Sequence, residues 1–413
     1  MRTGLTIFCG IDWAEDHHDI AIIDEAGTQL AKRRIGDDAA GYATLLGLLA
    51  EYGETGEHLA PVAIETGRGL LVACLAAGGR DVYVINPMAA ARYRERTAVA
   101  RAKSDAGDAL VLANILRTDR HAHRPLPNDS DLVRAIAVLA RAGQDAAWSQ
   151  QQIANQLRSV LREYFPAALR AFCVKHVGLA SAEARTILAA APMPTAAARL
   201  TKARLRSLLK QAGRQRNVEV WVERLHGIFR AEALHHSPRV EDAFGQQARA
   251  LLLQLDAAVR ATEQLLAATE AAFLEHPDAE IITSFPGLGT ITGARVLAEL
   301  GDDRDRFADP RALKAYAGAA PVTRASGKVR RVLHRRVKND RLSAAGYVWT
   351  FAALTKSAPA RAHYDRRRAA GDRHNAALRN LFNRFLGQLH HCLQRRQKYC
   401  ENRAFPAPQA TAA

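Results

Sequence analysis

The amino-acid sequence predicts a chain of two kinds, α/β over its first 125 residues and almost wholly helical after them. Three observations carry that reading. Short apolar runs alternate with turn residues at the N-terminal end. Long stretches with apolar residues at three- and four-residue steps fill the middle. A cationic block closes the chain: residues 321–413 hold 20 Lys and Arg against 4 Asp and Glu, so they carry the whole formal charge of +16.

Each element has its own signal. Thr6–Asp12 and His18–Asp24 are apolar runs of strand length, and Glu25-Ala26-Gly27 reads as the hairpin turn before a third run, Gln29–Ile35. Ala39–Tyr52 has helical periodicity. Pro61–Glu65 is a buried strand, Gly69–Ala77 a helix ended by Gly78-Gly79, and Asp81–Asn86 a strand stopped by Pro87. Ser104–Thr118 is a strong helix with Ser104 as its N-cap. A three-strand meander followed by strand, helix, strand and helix is the order of the ribonuclease-H-like fold.

Leu132–Tyr164 and Glu241–Glu275 read as two long helices forming antiparallel coiled-coil arms. A smaller helical insert lies between them, with breaks at Pro192-Met193-Pro194 and Ser237-Pro238. A mainly helical third unit starts near Ile281. The expected division is therefore 1–125, 126–280 and 281–399, with 400–413 as a disordered tail.

Composition excludes several classes. No apolar stretch is long enough to span a membrane or to serve as a signal peptide, so the expectation is a cytoplasmic protein with no membrane partner. The five cysteines are widely spaced with no Cys-x-x-Cys, which fits neither a disulfide framework nor a zinc cage. A cationic surface confined to one end suits polyphosphate, and arginine, which dominates it, suits phosphate better than lysine. The alternative is a solvated arginine-rich surface, which accounts for many arginines but not for their segregation.

Four acids stand where a ribonuclease-H-like sheet brings acids together. Asp12 ends the first strand, Glu65 ends the later one, and Asp105 and Asp108 lie on one face at the start of the following helix. Carboxylates so close would repel without a cation, and oxygen-only donors select Mg²⁺ or Mn²⁺. Taken singly, Asp105 and Asp108 could serve only a helix N-terminus, and Asp12 a turn.

The third unit carries different chemistry. Pro286-Gly287-Leu288-Gly289 before the helix Thr290–Leu300 looks like a helix-hairpin-helix element, in which backbone amides at Gly287 and Gly289 meet a DNA phosphate. Ser326 falls in a Gly-bounded turn among Arg324, Lys328, Arg330 and Arg331, with Arg335, Arg336 and Lys338 beyond. Those cations, with Lys103 near the acids, are candidate nucleic-acid contacts. Ser326 reads either as a nucleophile favoured by the surrounding charge or as a serine that contacts phosphate or forms the turn.

Taken together, Gly10-Ile11-Asp12, Ile64-Glu65-Thr66, Lys103-Ser104-Asp105-Ala106-Gly107-Asp108-Ala109, the Pro286-Gly287-Leu288-Gly289 turn and Ala325-Ser326-Gly327-Lys328 resemble the DEDD-type, bridge-RNA-guided transposases of bacterial insertion sequences. The middle region near Arg170–Arg239 is longer than that family's pattern, and Ala325 stands where a small polar residue often precedes the serine. The resemblance implies a RuvC-like N-terminal domain in which Asp12, Glu65, Asp105 and Asp108 hold Mg²⁺. It implies Ser326 as a nucleophile joined covalently to DNA. It further implies a guide RNA, donor and target DNA, and a tetramer whose composite sites take the acids from one subunit and the serine from another. A metal-dependent junction resolvase shares the acids without the serine chemistry. A sugar-kinase-like enzyme would need a glycine-rich loop that Asp12-Trp13-Ala14-Glu15 does not supply, and for a non-catalytic scaffold the four acids would be superfluous.

Overall fold

The computed structural model describes residues 6–97, 105–173, 178–326 and 329–405. The chain divides between Asn128 and Asp129 into two compact units.

In the first unit β1 (Phe8–Trp13), β2 (His17–Ile23) and β3 (Gln29–Gly36) form an antiparallel meander. Gly27, at φ 88°, turns the chain between β2 and β3 through the left-handed region that favours glycine. Helix α1 (Ala39–Glu51) starts at Asp38, whose Oδ1 accepts the Gly41 amide at 2.7 Å. Then follow β4 (Val62–Ile64), α2 (Leu70–Ala77), β5 (Val82–Val84), α3 (Pro87–Thr97) and α4 (Asp105–Asp119). β4 pairs parallel with β1, and β5 parallel with β4, giving the order β3-β2-β1-β4-β5. This is the order that the ribonuclease-H-like reading requires, with β1 at the centre.

Alternation along the strands separates two cores. Cys9, Ile11, Val62 and Ile64 pack against Leu45 and Leu49 of α1 and Leu75 of α2. Phe8 and Ala63 face the other way, onto Leu112, Ala113 and Leu116 of α4. Burial pushes the Cys9 thiol up to about 12, so it stays protonated. Helix α3 was not anticipated. Pro87 does stop β5, but it also occupies the first helical position, and Asn86 caps the helix by accepting the Met88 amide at 2.8 Å.

The second unit is built on α5 (Asp131–Tyr164) and α11 (Pro238–Glu275), 34 and 38 residues long. They run antiparallel: Gly143 lies against Leu265 and Leu266, while the rings of Tyr164 and Phe244 stack at 5.1 Å. The chain between them forms α6 (Pro166–Phe172), α7 (Ala182–Ala190), α8 (Pro194–Ala198), α9 (Lys202–Gln211) and α10 (Val218–Arg230). These close a core with Leu157 and Leu161 of α5 and Leu252 and Leu255 of α11. At the opposite end of the pair, Val133, Ile136 and Phe273 join a second core made with the C-terminal elements.

Those elements are α12 (Ala279–Thr283), α13 (Thr290–Leu300), α14 (Pro310–Tyr316), a hairpin of β6 (Val322–Ser326) and β7 (Val329–Leu333), α15 (Asp340–Ala353), α16 (Ala358–Ala369), α17 (His374–Arg395) and α18 (Glu401–Ala404). Trp349 is fully buried, stacks on Phe385 at 5.1 Å and donates to the Pro286 carbonyl at 3.1 Å. Two expectations change here. The unit is mainly helical but carries a strand pair. Residues 400–405 are ordered rather than a disordered tail: Arg384 and Gln388 donate to the Ala404 carbonyl, and Phe405 packs on the core. The rest of the expected tail, 406–413, lies outside the described residues. Among the described residues no helix is long and apolar enough to cross a membrane.

Candidate functional site

The first unit places acids at neighbouring strand ends. Ile11 of β1 pairs in parallel register with Ile64 of β4. Asp12 and Glu65 each follow one of these, so the two leave the sheet side by side. Since Phe8 and Ala63 face α4, alternation puts Gly10, Asp12 and Glu65 on that same face. Gly10 explains why the helix can come so near: a Cβ there would stand 2.0 Å from the Ala109 carbonyl oxygen and 2.5 Å from the Ala113 nitrogen. Asp108 immediately precedes Ala109. Asp105 is the first residue of α4, but its side chain lies outside the described residues, as do Lys103 and Ser104.

Asp12 and Glu65 are half-buried and Asp108 is 7% exposed. Asp108 forms an ion pair with Arg94 of α3, a residue the sequence reading missed because α3 itself was missed. Among the described residues no three His, Cys, Asp or Glu side chains close on a common point. The donor chemistry still fits a hard divalent ion, since Asp12, Glu65 and Asp108 all offer carboxylate oxygens. An ion arriving at Asp108 would share it with a guanidinium already in place.

Ser326 belongs to the second unit. It is the last residue of β6, paired with Val329. Gly327 and Lys328 lie outside the described residues, and so does the side chain of Arg330. Arg324 pairs directly across from Arg331, and alternation puts both on the face that carries Ser326. Like charges facing each other across a strand pair are destabilising, and an anion between them relieves the repulsion. Ser326, Arg324 and Arg331 are all exposed.

Beyond β7, Arg336 is exposed while Arg335 is half-buried, its Nε without an acceptor among the described residues. Lys338 donates to Asp340 at 2.6 Å and packs over Gly318. His334 remains neutral to lower pH than usual, through burial and then through Arg379, Lys338 and Arg336 around it.

A buried polar cluster ties together the segments that precede and follow the hairpin. Glu299 of α13 is 3% exposed and takes Nε and Nη2 of Arg141 at 2.7 and 3.0 Å. Asn339 donates its amide nitrogen to Glu299 and to the Tyr316 hydroxyl, each at 2.7 Å, while its own oxygen caps α15 by accepting the Leu342 amide. The sequence singles out neither Glu299, Arg141 nor Asn339; Asn339 before a helical run was the available signal.

The Pro286–Gly289 turn has two different glycines. Gly287 has φ 78°, and a Cβ there would meet the Ala353 nitrogen at 2.4 Å, so its place is set by packing on α15. Gly289 is the N-cap of α13 and nothing stands within 4 Å of its missing Cβ. Of the two, Gly289 keeps its backbone open to a phosphate.

Strand-end acids on a sheet of this order, joined to a cationic helical unit, suit an enzyme that acts on nucleic acid, and the comparisons with known proteins make the class specific. A DEDD transposase model of the IS110 type matches residues 9–166, and the transposase model of the IS116/IS110/IS902 family matches residues 279–365. A protein of Streptomyces coelicolor that carries the name of a mini-circle transposase for IS117 is 63% identical over 409 residues, 99% of each chain. The uncharacterized 42 kDa protein of insertion element IS900 from Mycobacterium paratuberculosis is 28% identical over 93% of this chain and 94% of its own. The 44.8 kDa protein of IS116 from Streptomyces clavuligerus is 29% identical over 98% of each. The chain is a transposase, an enzyme that cuts and rejoins DNA. It belongs to the IS110 family of insertion elements.

Proposed function

We propose that this transposase is RNA-guided and joins DNA through a covalent serine intermediate. The metal half is supported by Asp12 and Glu65, which follow the paired Ile11 and Ile64 and fall by alternation on the face covered by α4, the helix that carries Asp108. Asp12, Glu65, Asp105 and Asp108 would hold Mg²⁺, or Mn²⁺, which offsets charge on the non-bridging oxygens of the scissile phosphate. The serine half is supported by the paired Arg324 and Arg331 beside Ser326.

In this reading Ser326 Oγ loses its proton and attacks the phosphorus. One P–O bond forms as the bond to the leaving strand breaks, and that strand departs as a free hydroxyl after taking up a proton. The phosphodiester energy is kept as a phosphoserine ester. A hydroxyl from the strand to be joined then attacks the same phosphorus and returns the serine. Phosphate contacts position DNA without reading its sequence, and pairing with a bridge RNA supplies that choice. Gly289, Arg324, Lys328, Arg330, Arg331, Arg335 and Arg336 would hold the backbones. The long helices α5 and α11 would assemble subunits into a tetramer, a dimer of dimers, that joins the acids of one subunit with the serine of another.

The test is Ser326→Ala in the full chain, supplied with donor DNA, target DNA and RNA from the native host. DNA binding is expected to persist while strand exchange and the protein–DNA adduct on a denaturing gel both vanish. Recombination at the wild-type rate would remove the serine from the mechanism and leave a resolvase-like hydrolysis by activated water.

A further inference from the structure

Helix α15 buries one side and leaves an aromatic step on the other. Its inner side carries Leu342, Ala345, Gly346, Trp349, Thr350 and Ala353, all buried. Tyr347 and Phe351, four residues apart, are 47% and 55% exposed. Their rings lie parallel, with 7° between planes and 6.3 Å between centroids. Two large exposed rings one turn apart are costly for a surface that meets only water.

What surrounds the step identifies its occupant. His374 stands edge-on to both rings, at 6.4 Å from Tyr347 and 6.3 Å from Phe351. It is fixed there by the Tyr364 hydroxyl, 2.7 Å from its Nδ1. Exposed Arg373 precedes it in sequence. The last turn of α16 holds Arg367, whose Nε donates to Asp372 at 2.7 Å, and Arg368, whose Nη1 donates to the Asp372 carbonyl at 3.1 Å. An exposed aromatic pair against His374, next in sequence to the exposed Arg373 and within a strongly cationic region, is an arrangement on which unpaired bases stack while backbone phosphates meet cations. A protein partner of matching chemistry would have to present carboxylates around an apolar centre, and nothing on this surface favours that over phosphate.

We propose that the Tyr347–Phe351 step is a stacking platform for unpaired bases of the single-stranded DNA exposed when the enzyme opens and rejoins its substrate. DNA is the polyanion this family must hold with its strands apart during exchange. The inference rests on the reading that the cationic C-terminal region binds DNA.

Stacking and phosphate contacts differ in salt dependence, and the experiment uses that difference. Affinity of the full chain is measured by fluorescence anisotropy for a labelled single-stranded deoxyoligonucleotide, for the matching duplex and for the ribo-oligonucleotide, across a salt series. Tyr347→Ala and Phe351→Ala are expected to weaken single-stranded DNA binding roughly tenfold each with an unchanged log–log salt slope. Duplex affinity should stay as it is, and Tyr347→Phe should behave as wild type. Thermal unfolding checks that the variants fold; if Phe351→Ala does not, Tyr347→Ala and Tyr347→Phe carry the comparison. Wild-type affinity in the alanine variants overturns the platform, and so does a changed slope. A loss larger for RNA than for DNA overturns the choice of strand. A fall in molar mass by light scattering with unchanged DNA affinity would make the step an interface between copies of the chain. If the wild-type chain binds neither single strand nor duplex, the failure lies in the underlying reading of the basic region.

Discussion

The carbonyl oxygen of Ala109 occupies the space where a Cβ on Gly10 would stand, at a separation of 2.0 Å. One missing methyl group thereby lets α4 rest on the backbone of the central strand, and it brings Asp108 to the face on which Asp12 leaves β1. Gly10→Ala should destabilise the first unit by about 3 kcal/mol, the upper part of the usual overpacking range, because backbone stands on both sides of the contact. Urea unfolding followed by circular dichroism checks it, and an unchanged midpoint would mean that α4 does not seat on Gly10.

Arg94 and a divalent ion are alternative neutralisers of Asp108. Arg94→Met leaves a buried carboxylate without its guanidinium, so the unfolding midpoint should fall in metal-free buffer. Millimolar Mg²⁺ should then raise it more than in wild type, since ligand binding to the folded state stabilises by mass action. Equal Mg²⁺ responses in the two proteins would separate Asp108 from the metal.

Asp12→Asn removes one of the mutually repelling acids. Cleavage of DNA in Mg²⁺ should be lost while the unfolding midpoint holds or rises. Full Mg²⁺-dependent cleavage by the variant would take Asp12 out of the site.

The ion pair of Arg141 and Glu299 is lopsided, with side chains 40% and 4% exposed. Arg141→Ala strands a buried carboxylate on Asn339 alone and should cost about 3 kcal/mol. Glu299→Gln leaves a guanidinium that water can reach and should cost about half as much. Equal costs, read from urea midpoints, would mean that Glu299 is not desolvated as its burial implies.

Asp302 binds its proton less readily than an ordinary carboxylate. Burial raises its pKa, but the Ser130 amide at 2.9 Å and then His276 at 3.3 Å more than reverse that. A folded value below the unfolded one of about 3.9 gives stability that is present above that pH and is lost as pH falls through the folded value. The midpoint difference between wild type and Asp302→Asn should therefore be constant from pH 7 to 5 and shrink below pH 4. A difference that stays constant down to pH 2 would remove Asp302 from the acid response.

Much of this was legible in the residues. The meander and the two following strands were set out by apolar runs and by Gly27, and β1 and β4 lie where Gly10-Ile11-Asp12 and Ile64-Glu65 put them. The long helices and α13 follow their periodicity to within a few residues. Helix α3 escaped because proline reads as a stop, although at a helix's first position its missing N–H costs nothing. The β6–β7 pair escaped because it is short and exposed on both faces, so no buried alternation marks it. The order of 400–405 comes from Arg384, Gln388 and Ser357 meeting Ala404 and Glu401 across 16 or more residues, contacts with no local trace. For the same reason truncation near Ala320 would not isolate the basic region, since Trp349 and Phe385 complete the core of what remains.

By itself the sequence determined the order of the strands, the residue types at their ends, the segregation of charge and the family. Those properties are carried by neighbours in the chain or by composition. Tertiary structure alone decided that Gly10 seats α4, that Arg94 answers Asp108, and that Asn339 joins Glu299 and Tyr316. Each of these depends on which distant backbone or charge comes within a few ångströms, and burial strengthens such contacts by removing the water that would otherwise compete.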